Sequence, residues 1–234
     1  MKAVQNKNRI WELDFLRGIA LILMIYFHII FDMKEFYNYP VIYGSGINYY
    51  IGKAAAILFI LISGISCSLS RNNMKRGLKV LGIALVITAV SYIYSKDFCI
   101  KFGILHFLGA SMLLYPLYSR INKYLLIVLG TAVIIAGYFV QKINVSTEIL
   151  FPIGLINSKF TSGDYYPLLP WLGVFMYGNA MGRILYTAKT SILNFPIRDN
   201  IISMGGRKTL LIYVLHQPVI VLILALVNII IAQT

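Results

Sequence analysis

Four ionisable residues interrupt one long apolar run, LDFLRGIALILMIYFHIIFDM over 13–33: Asp14, Arg17, His28 and Asp32. At about 100° per residue, with Asp14 at zero, Arg17 falls at about 300°, His28 at about 320° and Asp32 near 0°. All four therefore share one arc of about 60° on a helix. Charged groups at membrane depth cost several kcal/mol unless they face a bundle interior or an aqueous cavity and find partners. Such a stripe suits a polar path or site. The plainer alternative is an interfacial ion pair between Asp14 and Arg17, at i and i+3, with Asp32 reaching the outer headgroups. His28 lies about 22 Å along the helix, and Asp32, one turn further on, is placed to accept its ring N–H, fix its tautomer and raise its basicity. That pair suits general-base chemistry. Arg17 lies about 16 Å lower, where its five-donor fork suits phosphate or carboxylate. A clamp below and a base above imply an anionic donor entering from the inner side and an acceptor facing outward.

The elements that must position these groups follow from composition. The chain has 234 residues, of which 59% are hydrophobic and 12% charged, and its mean hydropathy is +0.78. Ordinary soluble domains hold about 45–50% apolar and about 25% charged residues, so an integral membrane protein is expected, in an all-α fold. Seven candidate spans lie at 13–33, 47–69, 78–95, 103–119, 124–140, 168–186 and 209–231. Short connections leave no room for a soluble domain. The organisation is a tail at 1–12 and a single bundle of about seven transmembrane helices over 13–234.

The formal charge of +13 comes from 21 Lys and Arg against 8 Asp and Glu. With the N-terminus cytoplasmic and the C-terminus outside, 15 of the 21 basic residues fall inside and 6 outside, as the positive-inside rule asks. Nucleic acid is not needed to explain the basicity. Tyrosines such as Tyr37, Tyr39, Tyr43, Tyr49, Tyr50, Tyr165 and Tyr166 then read as an outer interfacial belt or as sugar-stacking surfaces. The first run carries Asp14, Arg17 and His28 and lacks a small-x-small cleavage site, so it is expected to be retained. Cys67 and Cys99 fall on opposite sides of the membrane, and no metal-ligand spacing is present.

Arg17 and His28, with ten residues between them, match the Arg-x10-His arrangement of the membrane acyltransferase-3 proteins. Five blocks in series, RIWELDFLRGIALILMIYFHIIFD, LISGISCSLSRNNMKRGLK, FGILHFLGASMLL, DYYPLLPWLGVFMYG and LLIYVLHQPV, resemble bacterial members of the heparan-α-glucosaminide N-acetyltransferase-like catalytic family. The resemblance runs from about Arg9 to Val221. It implies a polytopic enzyme that takes acetyl groups from cytosolic acetyl-CoA and passes them to a glycan across the membrane, with a membrane-embedded histidine as catalyst. It also implies a bacterial cell membrane and a homodimer. Larger family members have ten or eleven spans and an N-terminal lumenal domain, against the seven spans expected here.

With acetyl-CoA as donor, His28 is the expected base, supported by Asp32, and Arg17 the expected anion clamp. A ping-pong route through acetyl-histidine is chemically available as well, and the sequence alone does not separate the two. His106, in FGILHFLG, suits acceptor binding, a second acid/base role, or a hydrogen bond within the bundle. His216 precedes Gln217 and Pro218; the proline removes an intrahelical hydrogen bond, and the histidine suits contact with the pantetheine arm or plain packing. The basic stretch SRNNMKRGLK at 70–79 places Arg71 and Arg76 for CoA phosphates or for lipid headgroups. Gly205-Gly206-Arg207-Lys208 opens the last helix and suits phosphate or a simple turn. Asp164, in the outer loop, suits sugar hydroxyls or solvent. The rival function is a proton-coupled secondary transporter, since aligned ionisable residues also form proton relays. No inverted repeat and no paired broken helices favour it.

Overall fold

The structure is a computed structural model that describes residues 10–193 and 200–233. Most of the expected tail, with Lys2, Lys7 and Arg9, and the loop residue Arg198 lie outside the described residues. The described residues form eight helices: α1 (Trp11–Glu35), α2 (Gly46–Leu69), α3 (Asn73–Tyr94), α4 (Ile104–Tyr118), α5 (Lys123–Val140), α6 (Leu168–Leu185), α7 (Ile201–Arg207) and α8 (Thr209–Ala232). Among them no strand occurs, only isolated bridges at Phe102 with Tyr165 and Asn144 with Ile156.

Five helices, α1, α2, α3, α5 and α8, are long and apolar enough to cross a membrane. The other two expected spans are present as helices of a different kind. Helix α4 has 15 residues. In α6 the backbone is extended at Leu169 (φ −99°, ψ 124°), because the ring of Pro170 disfavours the helical region for the residue before it. Helix α3 begins at Asn73 instead of 78, so most of the basic stretch expected as a loop is the first turns of a helix. Hydropathy marks where lipid begins, whereas the backbone winds through Lys75 and Arg76 at no cost. Helix α7 was not expected; Asn200 caps it by accepting the Ser203 N–H at 2.7 Å.

The chain divides into two compact units, Met1–Phe59 with Lys189–Thr234, and Ile60–Ala188. In the first, α7 lies against the start of α1 almost backbone to backbone. A Cβ on Gly206 would run into the carbonyl oxygen of Asp14, and one on Gly18 into that of Ile202. Glycine at these positions is therefore a packing requirement. The α1 end also holds the approach to α7: Glu12 accepts from the Ser191 hydroxyl at 2.5 Å and the Ile192 N–H at 2.7 Å, and the Trp11 indole donates to the Leu193 carbonyl at 3.1 Å. Helix α8 runs parallel to α1, and its Asn228 accepts from Tyr39 at 3.2 Å. Most of its Leu, Ile and Val side chains are half-buried or exposed, while His216 and Ile220 are its buried residues. A soluble helix buries its aliphatic residues and exposes its histidine; the inversion is the signature of a lipid-facing surface.

In the second unit, α5 packs along α6 through Gly130 and Gly173, and α3 packs on α4 through Gly77 and Gly109. The segment from Ile104 to Gly109 is buried without a break. Asn122 caps α5 by accepting the Tyr124 N–H at 2.9 Å. Arg183 donates to the Ile121 carbonyl at 2.8 Å, tying α6 to the turn before α5.

Candidate functional site

The arc on α1 that carries Asp14, Arg17, His28 and Asp32 is the face that α7 and α8 cover. Asp14 touches Gly206 of α7 through its backbone, His28 meets His216 of α8, and Asp32 meets Gln217 of α8. Near the lower end, Arg17 Nη1 donates to Asp14 Oδ1 at 2.6 Å. This is the i and i+3 ion pair that the spacing allowed, and its carboxylate side chain is 4% exposed.

Two imidazoles form the centre of the upper arc. The rings of His28 and His216 lie 4.7 Å apart, centroid to centroid, at an interplanar angle of 83°. Each ring leans back about one turn along its own helix, as helical side chains do: His28 Nδ1 bonds the Met24 carbonyl at 2.9 Å, and His216 Nδ1 that of Tyr213.

That lean corrects the expected His28–Asp32 bond. The ring turns toward Met24, away from Asp32, and the Asp32 carboxylate receives the Gln217 amide instead, at 2.8 and 2.9 Å to its two oxygens. Asp32 is 0% exposed, so this bond replaces the water it has lost. Gln217 is the residue that sequence reasoning noted without assigning. Its signal was present: polar residues inside an apolar helix need partners, and Gln217 and Asn228 of α8 find theirs in Asp32 of α1 and in Tyr39 of the loop that follows α1.

A carbonyl oxygen only accepts, so an imidazole nitrogen bonded to one carries the proton. His28 Nδ1 faces Met24, and His216 Nδ1 faces the Tyr213 carbonyl at 2.5 Å. Both neutral rings are thereby Nδ1–H tautomers with the lone pair on Nε2. His216 Nε2 is buried and has no hydrogen-bond partner among the described residues. The rings of Tyr213, at 5.2 Å from that of His216, and Phe59, at 6.1 Å from Tyr213, continue the aromatic wall. A half-buried base and a buried one beside an aromatic wall suit proton transfer in acyl transfer.

His106 and Asp164 are also brought together, in the second unit, at the start of α4. His106 Nδ1 accepts the Gly103 N–H at 3.2 Å, and its Nε2 bonds the Thr88 hydroxyl at 3.0 Å. Thr88 in turn donates to the Ile100 carbonyl at 2.6 Å. Asp164 accepts the Ile104 N–H at 3.0 Å. These bonds satisfy orphan donors at a buried helix start. Beside them, Tyr165 donates to the Phe151 carbonyl at 2.6 Å, and burial pushes its phenol up to about 12.

The remaining candidates lie at helix ends. Arg71 is exposed just before α3, and Arg76 is half-buried on its first turns. Arg207 and Lys208 are exposed at the junction of α7 and α8. Gly206 there serves the contact with α1, which accounts for the glycine without a phosphate. Cys67 and Cys99 are both buried and free.

A family model described as heparan-alpha-glucosaminide N-acetyltransferase, catalytic, matches residues 9–218. In the comparisons with curated proteins and with solved structures, nothing matches.

Proposed function

The chain belongs to the heparan-alpha-glucosaminide N-acetyltransferase catalytic family, and from that premise we propose how this membrane acetyltransferase works. The donor is cytosolic acetyl-CoA, and the acceptor is an extracytoplasmic sugar or glycan bearing an amine or hydroxyl. The observation that carries the reading is the His28 ring, held by the Met24 carbonyl as the Nδ1–H tautomer with its Nε2 lone pair available as a base.

In this reading the adenine nucleotide end of acetyl-CoA stays at the cytoplasmic side and its arm reaches up the α1 face. Arg17, oriented by Asp14, meets a phosphate or the thioester region, while Arg71, Arg76, Arg207 and Lys208 are candidate phosphate contacts. His28 Nε2 takes the proton of the acceptor as its lone pair attacks the thioester carbonyl carbon. Gln217 and Asp32 pin α8 to α1 and so hold the distance between the two imidazoles. His106 and Asp164 keep a place as acceptor-side residues through the loop they order.

The proposed topology has the N-terminus in and the C-terminus out, with α4 and α6 completing seven crossings. The parallel course of α1 and α8 fits an odd number of crossings. Lys53, Lys96, Lys123 and Lys142 each sit over a tyrosine ring, at 4.9, 5.9, 5.4 and 3.9 Å, an arrangement suited to a headgroup zone at either face.

The test is acetyl transfer by purified protein in lipid nanodiscs. His28→Ala is expected to lower turnover by about 10²–10⁴-fold while thermal stabilisation by CoA persists. Arg17→Ala is expected to abolish that stabilisation. Wild-type turnover in His28→Ala removes His28 from the chemistry, and no stabilisation of the wild type by CoA or acetyl-CoA removes the donor.

A further inference from the structure

His216 presents an unsolved problem of hydrogen bonding. It is 8% exposed, on a helix whose aliphatic residues face outward, and its buried Nε2 meets no donor among the described residues. A buried polar atom without a partner costs about 1–3 kcal/mol. Packing alone would favour leucine there. The ring is nevertheless held in place by the Tyr213 carbonyl on Nδ1 and edge to face against His28. Gln217, the next residue, is bonded to Asp32 on α1, so the backbone that carries His216 is fixed against the helix that carries His28.

We infer that His216 is a second catalytic residue, which carries the acceptor's proton from His28 to the departing sulfur. The inference rests on the acetyl-transfer reading above. A single base leaves an imidazolium that must itself swing to the leaving group. A neighbouring imidazole with an open Nε2 removes that need.

The step balances as follows. The acceptor N–H or O–H proton moves to His28 Nε2 as the acceptor's lone pair bonds the thioester carbonyl carbon. The C–S bond breaks and its electron pair stays on the CoA sulfur. The proton passes from His28 Nε2 to His216 Nε2 and then to that sulfur, so both rings end neutral. The products are acetylated acceptor and CoA thiol. Besides the two rings, the titratable groups facing them are Asp32 from α1 and Tyr213 from α8; α2 contributes Phe59, which does not titrate.

The chain has three histidines, so ¹⁵N-histidine spectra of the full-length protein in nanodiscs are readable ring by ring. His106, with both nitrogens bonded, is the internal reference. In the wild type both rings are expected to show the Nδ1–H tautomer, and a proton added to the pair is expected to be shared between the two Nε2 atoms, a signature that His216→Gln removes. With acetyl-CoA and glucosamine as probes, His216→Gln is expected to lose about 10²-fold in kcat, to keep its KM for acetyl-CoA, and to lose one of the two ionisations in the pH–rate profile. A raised KM with an intact profile makes His216 a pantetheine contact and overturns the relay. Wild-type spectra with no proton shared between the two rings overturn it without any variant. A shared proton with no transfer to any amine or hydroxyl sugar overturns the acetyl-transfer reading, and the sulfur step with it.

Discussion

His106 and the pair His28–His216 differ in how far the protein has committed their ring nitrogens. Around His106 each ring nitrogen is spent: Gly103 donates to one, and the other bonds a threonine whose own proton goes to Ile100. Around His28 and His216 one nitrogen of each ring is tied to a helix carbonyl, and the rings meet edge to face. Burial is similar for His106 and His216, at 4% and 8% exposed; what differs is the number of ring nitrogens already committed to protein partners.

That contrast is sharpest in a paired substitution. His28→Ala is expected to cost about 10²–10⁴-fold in acetyl transfer with little change in melting temperature. His106→Ala is expected to lower the melting temperature and, through the acceptor-side loop it orders, to raise KM for the acceptor while kcat per folded molecule stays near wild type. Equal loss of transfer in both would erase the distinction. The next effect concerns what holds the reactive pair. Gln217→Leu leaves the Asp32 carboxylate buried without its amide and is expected to cost about 1–3 kcal/mol by chemical denaturation; adding Asp32→Leu should recover part of that loss, because the stranded charge goes with it. A double variant no better than the single one would mean that the amide is not the partner that matters.

Thr88→Val probes the committed side. It removes one bond to His106 and one to the Ile100 carbonyl, for an expected loss of about 1 kcal/mol, with acetyl transfer per folded molecule unchanged. A large loss of transfer would place His106 among the reacting groups. The smallest effect is a pH dependence in the same region. Tyr165 has its phenol pushed up to about 12 by burial, above the ordinary value of about 10. Its contribution to stability is therefore full below about pH 10 and is lost as pH rises toward about 12. Melting temperature from pH 9 to 12 should fall more steeply for wild type than for Tyr165→Phe, and parallel curves would show that the phenol keeps its ordinary value.

Much of the molecule was legible before any coordinates. Runs of apolar residues placed the cores of α1, α2, α5 and α8 within a few residues, because a helix crossing lipid needs length and hydropathy and both are local. The alignment of Asp14, Arg17, His28 and Asp32 was also legible, since angular position on a helix depends only on residue spacing. Other features depended on groups distant in the chain. Helix α7 is short and polar at its cap, so hydropathy passes over it; Asn200 three residues before Ser203 was its only local mark. The start of α3 was hidden because Lys75 and Arg76 read as loop by charge, although charge does not stop a helix.

The chain by itself determined that this is a helical membrane protein of an acetyltransferase family and that α1 carries a stripe of ionisable groups. Composition, periodicity and block order are properties of the string. Tertiary structure alone decided which nitrogens are used and which histidines meet. The carbonyls one turn back on α1 and α8 set where the nitrogens of the two rings point. The packing of α8 on α1 sets His28 beside His216 and gives Asp32 to Gln217, a pairing between two helices nearly two hundred residues apart in sequence.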